Sequence, residues 1–71
     1  MTAALIERII STTAVGHVEI RTADGHRTDI DPELTQWEVS EPQRYIHTRN
    51  YQGEEKWINI DQITTIKRIE P

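Results

Sequence analysis

A chain of 71 residues forms one small domain, and a domain of this size buries only about 60% of the surface that its unfolded form exposes. Hydrophobic residues make up 35% of the chain and charged residues 28%, a balance typical of a soluble globular domain rather than of a disordered or membrane protein. The absence of cysteine excludes disulfides, thiolate zinc sites and cysteine nucleophiles. A net charge of −4 disfavours non-specific binding to nucleic acid.

The N-terminal segment, residues 1–10, has no basic region ahead of its apolar residues, and Glu7 and Arg8 interrupt them. It is too short and too charged to be a signal peptide or a membrane span. No internal repeat or linker divides the chain. We therefore expect a single domain over residues 1–71 that lies in the cytoplasm and makes no contact with a membrane.

The same N-terminal segment contains the one predicted helix. Its apolar residues recur at helical spacing: Leu5, Ile6, Ile9 and Ile10. Thr2 can cap the first turn, and poor helix formers after Ile10 end the helix before Gly16. A helix of fewer than about ten residues is marginal in water on its own, so we expect it to pack across one end of a sheet.

The remainder of the chain favours β-structure. Ile, Val and Thr account for 23 of the 71 residues, and their branched side chains pack well on a pleated sheet. Short strands separated by turn residues are typical of small barrels and sandwiches. We predict strands within residues 15–69 that form a small five-stranded or six-stranded antiparallel barrel, with the short N-terminal helix over residues 1–10.

The first hairpin is predicted to turn at residues 23–25, with Gly25 in the left-handed conformation. This three-residue loop keeps apolar side chains on one face, whereas a two-residue loop would mix core and solvent positions. The predicted pairs are Val18 with Ile30, Ile20 with Thr28, Glu19 with Asp29 and Arg21 with Arg27. We expect the diagonal contact between Arg21 and Asp29 to offset the like-charge pairs partly.

The second hairpin is predicted to turn at residues 51–53, with Gly53 in the left-handed conformation. One face of its ladder is largely aliphatic and pairs Thr48 with Lys56, Ile46 with Ile58 and Arg44 with Ile60. The other face is aromatic and polar and pairs Arg49 with Glu55, His47 with Trp57 and Tyr45 with Asn59.

Three further segments complete the prediction. Asp before Pro at residues 31–34 favours a turn, and a strand containing Trp37 and Val39 follows and ends at residues 41–42. Asp61 is predicted to accept backbone N–H groups two residues on and so form a tight turn before the last strand, which runs through Ile66 to Ile69. The isoleucines predicted to fill the core around this turn are Ile60, Ile63 and Ile66.

Two stretches carry a resemblance to a known fold. Val18-Glu19-Ile20-Arg21 leads to Asp24-Gly25, and the second stretch is Trp57-Ile58-Asn59-Ile60-Asp61-Gln62-Ile63-Thr64. Together with the order of helix, two hairpins, Asp-containing turn and closing strand, they resemble the Sm-like and SH3-like small barrels. Residues 15–66 resemble the Rof family of small acidic inhibitors of the transcription terminator Rho. The resemblance implies an Sm-like fold and a regulator that binds another protein.

One cluster stands out as a candidate binding surface. Aromatic and cationic groups on one sheet face can stack on bases or form the centre of a protein interface, and here they are Tyr45, His47, Arg49 and Trp57. Alternatively, Tyr45 and Trp57 cover a second small apolar layer beneath the helix or residues 34–37.

A second candidate surface is an acidic rim, formed by Glu33, Glu38 and Glu41. Such residues either form a solvated rim or contact the basic surface of a nucleic-acid-binding protein.

The sequence gives little support for catalysis or metal binding. The three histidines, His17, His26 and His47, are too far apart in sequence for the usual zinc-ligand spacing. Serine-nucleophile and phosphate-loop motifs are missing. We expect no enzymatic activity, no cofactor and no metal site.

We therefore predict a non-enzymatic regulatory module that acts through protein–protein contact, as an inhibitor of a nucleic-acid-binding protein. One alternative is a binder of RNA or of a nucleotide through the aromatic and basic face. The other alternative is a structural subunit of a homo-oligomer in which edge strands pair between copies.

Overall fold

The computed structural model describes residues 1–71, which form one short helix and two three-stranded antiparallel sheets. Helix α1 spans Ala3–Ser11, and the strands are β1 (His17–Thr22), β2 (Arg27–Ile30), β3 (Gln36–Ser40), β4 (Tyr45–Arg49), β5 (Glu55–Asn59) and β6 (Ile63–Ile69), with a 3-10 turn at Ile60–Gln62. The sheet orders are β2-β1-β6 and β3-β4-β5. The mainly β prediction is confirmed. The predicted closed barrel is not confirmed, because no backbone ladder joins the two sheets.

Both hairpin registers agree with the predictions. In the first hairpin Val18 pairs with Ile30, and in the second Ile46 pairs with Ile58. Both loops have three residues and carry a glycine with positive φ. Local signals, namely the glycine position and the alternation of apolar residues, were therefore sufficient to set both ladders.

The turn before β6 forms differently from the prediction. The side chain of Asn59, not that of Asp61, accepts the backbone N–H, with 2.8 Å between Asn59 Oδ1 and Asp61 N. The Asp61 carboxylate instead accepts a hydrogen bond from Arg44 at 2.7 Å. Asn59 immediately precedes the 3-10 turn and so occupies its capping position. The Asp61 carboxylate is therefore free to pair with the guanidinium of Arg44.

The core lies between the two sheets and the helix. Nine apolar residues are buried there: Ala3, Ile6, Ile10, Val18, Ile20, Ile30, Ile46, Ile58 and Ile60. Of the isoleucines predicted around the last turn, Ile60 is buried, whereas Ile63 and Ile66 are only partly buried against the core.

Helix α1 begins as predicted, because the Thr2 hydroxyl accepts the Leu5 N–H at 3.2 Å. Leu5, which belongs to the predicted apolar stripe, is 45% exposed. The buried face instead runs through Ala3, Ile6 and Ile10, which are three and four residues apart and therefore lie on one side of the helix.

The C-terminal end of α1 is tied to β6 by Arg68. Its guanidinium donates to the Ile9 carbonyl at 3.3 Å and to the hydroxyls of Thr12 and Thr13 at 2.7 and 2.9 Å. A cation at this end also complements the negative end of the helix dipole. The contact anchors a helix that is too short to be stable alone.

A buried carboxylate organises the outer side of the β2-β1-β6 sheet. The Glu19 side chain is only 7% exposed and lies 3.3 Å from Arg21, 3.4 Å from Arg27 and 3.4 Å from Lys67. The predicted diagonal contact between Arg21 and Asp29 is not formed, because Arg27 pairs with Asp29 at 3.0 Å. Burial raises the pKa of Glu19, but the hydrogen bonds and positive charges of Arg21 and Lys67 outweigh it and hold that pKa below its ordinary value.

This arrangement predicts acid-sensitive stability. Because folding lowers the pKa of Glu19, its stabilising effect is complete above the ordinary pKa of 4.5 and is lost as the pH falls through the lower, folded value. Thermal melts of the wild-type protein between pH 7 and pH 2 should therefore show a melting temperature that falls below about pH 4.5. The Glu19→Gln variant should melt lower at pH 7 and lose less on acidification.

Glu7→Gln is the matched control, because Glu7 is exposed and makes no ion pair within 4.0 Å. It removes the same charge and should follow the wild-type acid profile. An acid profile of Glu19→Gln that runs parallel to the wild type would contradict the proposed role of this cluster.

Candidate functional site

The four residues predicted as a binding surface lie together on the side of the β3-β4-β5 sheet that faces away from the core. Side chains alternate between the two faces along a strand, so burial of Ile46 and Thr48 directs their β4 neighbours outward. The ladders place these residues in three cross-strand rows: Ser40-Tyr45-Asn59, Glu38-His47-Trp57 and Gln36-Arg49-Glu55. We call this surface the outer face.

A stacked pair of rings occupies the middle row of the outer face. The rings of His47 and Trp57 are parallel to within 25°, with centroids 4.7 Å apart, and His47 Nε2 lies 3.2 Å from Glu55 Oε1. Trp57 is 60% exposed, so the alternative that it lies beneath the helix or residues 34–37 is wrong. Helix α1 packs on the core side of the sheets instead, where it closes the core.

The electrostatics of the outer face differ from the prediction of an aromatic and basic surface. Glu38 lies opposite His47, and Glu55 lies opposite Arg49. The predicted ion pair between Arg49 and Glu55 does not form, because the Glu55 carboxylate contacts His47. Arg49 is therefore an exposed cation without an ion-pair partner on a face that carries two carboxylates.

The acidic residues predicted as a rim do not form a cluster. Glu33 lies in the turn before β3, Glu38 lies within β3, and Glu41 directly follows it. All three are exposed, and Glu41 lies 3.6 Å from Arg44. Glu38 belongs to the outer face and lies in β3, an edge strand of its sheet, whereas Glu33 precedes that strand and Glu41 follows it in sequence. We call these three residues the acidic line along β3.

An open cleft of about 760 Å³ separates β5 from the β1–β2 hairpin. It shares Glu55 and Trp57 with the outer face, and its lining residues are Thr22, Asp24, Gly25, His26, Arg27, Thr28, Glu55, Lys56, Trp57, Ile58, Asn59 and Gln62. This cleft could not be predicted from the sequence, because it depends on how the two sheets are placed relative to each other.

Two exposed apolar side chains were also missed. Leu34 is 58% exposed and Tyr51 is 76% exposed, and both line a hollow of about 310 Å³ with His17, Asp29, Asp31, Thr35 and Asn50. The exposure of Tyr51 could have been predicted, because it is an aromatic residue in a predicted hairpin loop. For Leu34 no sequence signal distinguishes this position from a core residue.

The histidines occupy three separate places, each beside a different carboxylate. The distances are 3.8 Å for His17 and Asp29, 3.5 Å for His26 and Asp24, and 3.2 Å for His47 and Glu55. No group of three or more His, Cys, Asp or Glu side chains is arranged to hold a metal ion. The helix is also too short to cross a bilayer.

Comparisons with protein-family models, with curated proteins and with solved structures find no match to this chain. The assignment of a function therefore depends on the geometry of the outer face and of the cleft beside it.

Proposed function

We propose that this protein is a non-enzymatic binding module that acts through contact with another protein, and that the outer face is its contact surface. The observation that carries the proposal is the exposed Trp57 ring, held against His47 in the middle row of a three-stranded sheet. Tryptophan and arginine are enriched among the residues that dominate protein interfaces. A ring already fixed by stacking also loses less conformational freedom on binding.

The charges on the outer face favour a protein over nucleic acid. Binding of single-stranded nucleic acid combines stacking with a positively charged groove along the backbone. Here Arg49 is accompanied by Glu38 and Glu55, and the chain as a whole carries a net charge of −4. Phosphates would meet repulsion at this face, whereas a protein partner can supply complementary charges of both signs.

The acidic line along β3 supports a partner with a basic surface. Glu33, Glu38 and Glu41 are exposed within β3 or close to its ends in sequence, and opposite charges across an interface accelerate association. A nucleic-acid-binding protein, whose basic surface this chain would cover, fits that description. Inhibition of such a protein by an Sm-like domain is also what the resemblance to the Rof family implies.

Homo-oligomerisation is a second candidate, favoured by one observation. Each sheet has two unpaired edges, and the edge strand β6 is seven residues long. Unpaired edges can pair with another chain. Light scattering after gel filtration distinguishes the candidates, because a monomer across a wide concentration range excludes a stable homo-oligomer.

The charge reversal Arg49→Glu tests the outer face. We expect it to weaken binding of the partner by about tenfold or more, because it introduces repulsion and removes a contact. The folding free energy should change by no more than about 1 kcal/mol, since Arg49 is exposed and forms no ion pair. Partners are captured from native lysate with and without nuclease, and their affinities are then measured by calorimetry.

Arg8→Glu is the matched control, because Arg8 is exposed on α1 and its reversal changes the net charge equally. It should bind the partner as the wild type does. Equal affinity of the partner for the wild type and for Arg49→Glu would overturn the outer face as the contact surface, and the acidic line along β3 would be the next surface to test. Capture that nuclease abolishes would overturn the proposal of a protein partner in favour of nucleic acid.

A further inference from the structure

The open edge of β5 directs unpaired backbone groups into the cleft. In the β4–β5 ladder the Asn50 N–H donates to the Glu54 carbonyl at 3.0 Å, and the Ile60 N–H donates to the Arg44 carbonyl at 3.0 Å. Residues of an antiparallel pair alternate between bonded and non-bonded positions. The backbone groups of the intervening alternate residues, Glu55, Trp57 and Asn59, therefore point away from β4.

The opposite wall of the cleft has the same character. The Thr22 N–H donates to the His26 carbonyl at 3.1 Å, so by the same alternation the backbone groups of Arg27 point away from β1. At one end the Ala23 N–H donates to the Gln62 carbonyl at 2.8 Å and joins the two walls. The cleft is thus bordered on both sides by strands that lack a neighbour.

We propose that the cleft binds an extended segment of a partner polypeptide, which adds as a strand to the open edge of β5. An extended chain offers backbone donors and acceptors at the spacing that a strand edge requires. A helix satisfies its own backbone groups internally, so it would leave those of Glu55 and Trp57 unpaired. The inference rests on the proposed function for the class of partner, a protein, and adds its binding place and conformation.

A free segment fits better than the sheet edge of a second copy. The cleft has the β1–β2 hairpin on one side and β5 on the other, whereas an edge strand of a folded domain has its own sheet attached along its far side. The cleft is therefore suited to a single strand that is open on both sides.

The cleft also indicates the side chains of the segment. On an added strand, side chains alternate between the face of Lys56 and Ile58 and the face of Glu55 and Trp57. Cross-strand neighbours of opposite charge or of matching apolar character are favoured. A fitting segment therefore has an acidic and a β-branched residue on one face, and a basic and an apolar residue on the other.

The pair of variants Glu55→Pro and Glu55→Ala tests the edge. Both remove the carboxylate and its contact with His47, but only proline also removes the backbone N–H that points into the cleft. Because that N–H is not bonded to β4, proline is tolerated at this edge position. Circular dichroism melts should show that both variants fold with similar stability.

The probe is a set of heptapeptides selected on the wild-type protein from a randomised library displayed on phage. We expect the selected peptides to bind Glu55→Pro at least about tenfold more weakly than Glu55→Ala, a difference of about 1.4 kcal/mol, because the two variants lack the same carboxylate and differ in the backbone N–H. Bound peptide should slow hydrogen exchange at the amides of Glu55, Trp57 and Asn59. Equal affinity for the two variants, slowed exchange elsewhere, or a library that yields no binding peptide would overturn the proposal.

Peptides methylated on alternate backbone nitrogens provide a second test that needs no variant, should Glu55→Pro fail to fold. Methylation of at least one of the two alternate sets should abolish binding, because it removes the donors that face β5. Full affinity of both methylated peptides would overturn strand addition.

The captured partner separates this inference from the proposed function. If the captured partner binds Arg49→Glu more weakly than wild type but binds the two Glu55 variants equally, the outer face remains the contact surface and the cleft proposal is overturned. If Glu55→Pro binds the partner more weakly than Glu55→Ala while Arg49→Glu binds it as the wild type does, the cleft proposal stands and the outer face is overturned as the contact surface.

Discussion

Replacing Ile60 with alanine is expected to leave much of the protein unfolded at 25 °C. Ile60 is 1% exposed and lies in the 3-10 turn between β5 and β6, so it packs where the two sheets are connected. Truncation of a buried isoleucine to alanine costs about 2–5 kcal/mol, whereas a domain of this size has about 3–5 kcal/mol in total. Urea and thermal unfolding followed by circular dichroism measure the loss.

Leu5→Ala is the control for this truncation. The sequence pattern places Leu5 in the apolar stripe of the helix, but the structure leaves it 45% exposed. We expect its truncation to cost less than about 1 kcal/mol, since exposed substitutions seldom cost more. Wild-type stability of Ile60→Ala, or unfolding of Leu5→Ala, would show that the core is arranged differently.

The contrast between these two residues shows where prediction from sequence succeeds. Both hairpins follow from short-range rules, because a glycine at the loop and alternating apolar residues leave only one register with Ile46 and Ile58 on the buried side. Helical periodicity alone does not settle which residues of a short helix are buried. A stripe shifted by a few residues fits the same pattern, so the spacing did not distinguish the exposed Leu5 from the buried Ala3.

Interactions between distant segments set the limit of that prediction. Glu19 faces Asp29 within its own hairpin, which suggested an unfavourable pair, yet Lys67 of β6 lies directly opposite it on the other side. That neighbour is known only once the strand order β2-β1-β6 is known. The same holds for the Asp61 carboxylate, whose partner Arg44 is 17 residues away.

In the candidate site, too, the features set within one hairpin were predictable and those set by contacts between distant segments were not. The row that joins His47 and Trp57 followed from the hairpin register, so the outer face was assembled correctly from sequence. The charge of the outer face was not predicted correctly, because Glu38 joins that face only through the pairing of β3 with β4. The cleft beside β5 depends on the separation of two sheets, which no periodicity encodes.

Replacing Gly16 with alanine is expected to destabilise the protein by more than about 2 kcal/mol, through both backbone strain and a steric clash. Gly16 has φ of 93°, a conformation that residues with a side chain rarely adopt. It directly precedes β1, and a Cβ built on it would overlap the backbone oxygen of Ile69. Because His17 pairs with Ile69, relief of that overlap requires the end of the β1–β6 ladder to move.

Gly53→Ala is the matched control that separates the two contributions. Gly53 has a similar φ of 84°, but a Cβ there would meet no atom within 4 Å. It should therefore incur only the conformational strain, about 1 kcal/mol, and the difference between the variants measures the clash. Hydrogen exchange should also show weakened protection in β6 for Gly16→Ala and unchanged protection there for Gly53→Ala. Equal destabilisation by both substitutions would contradict the close approach of Gly16 to Ile69.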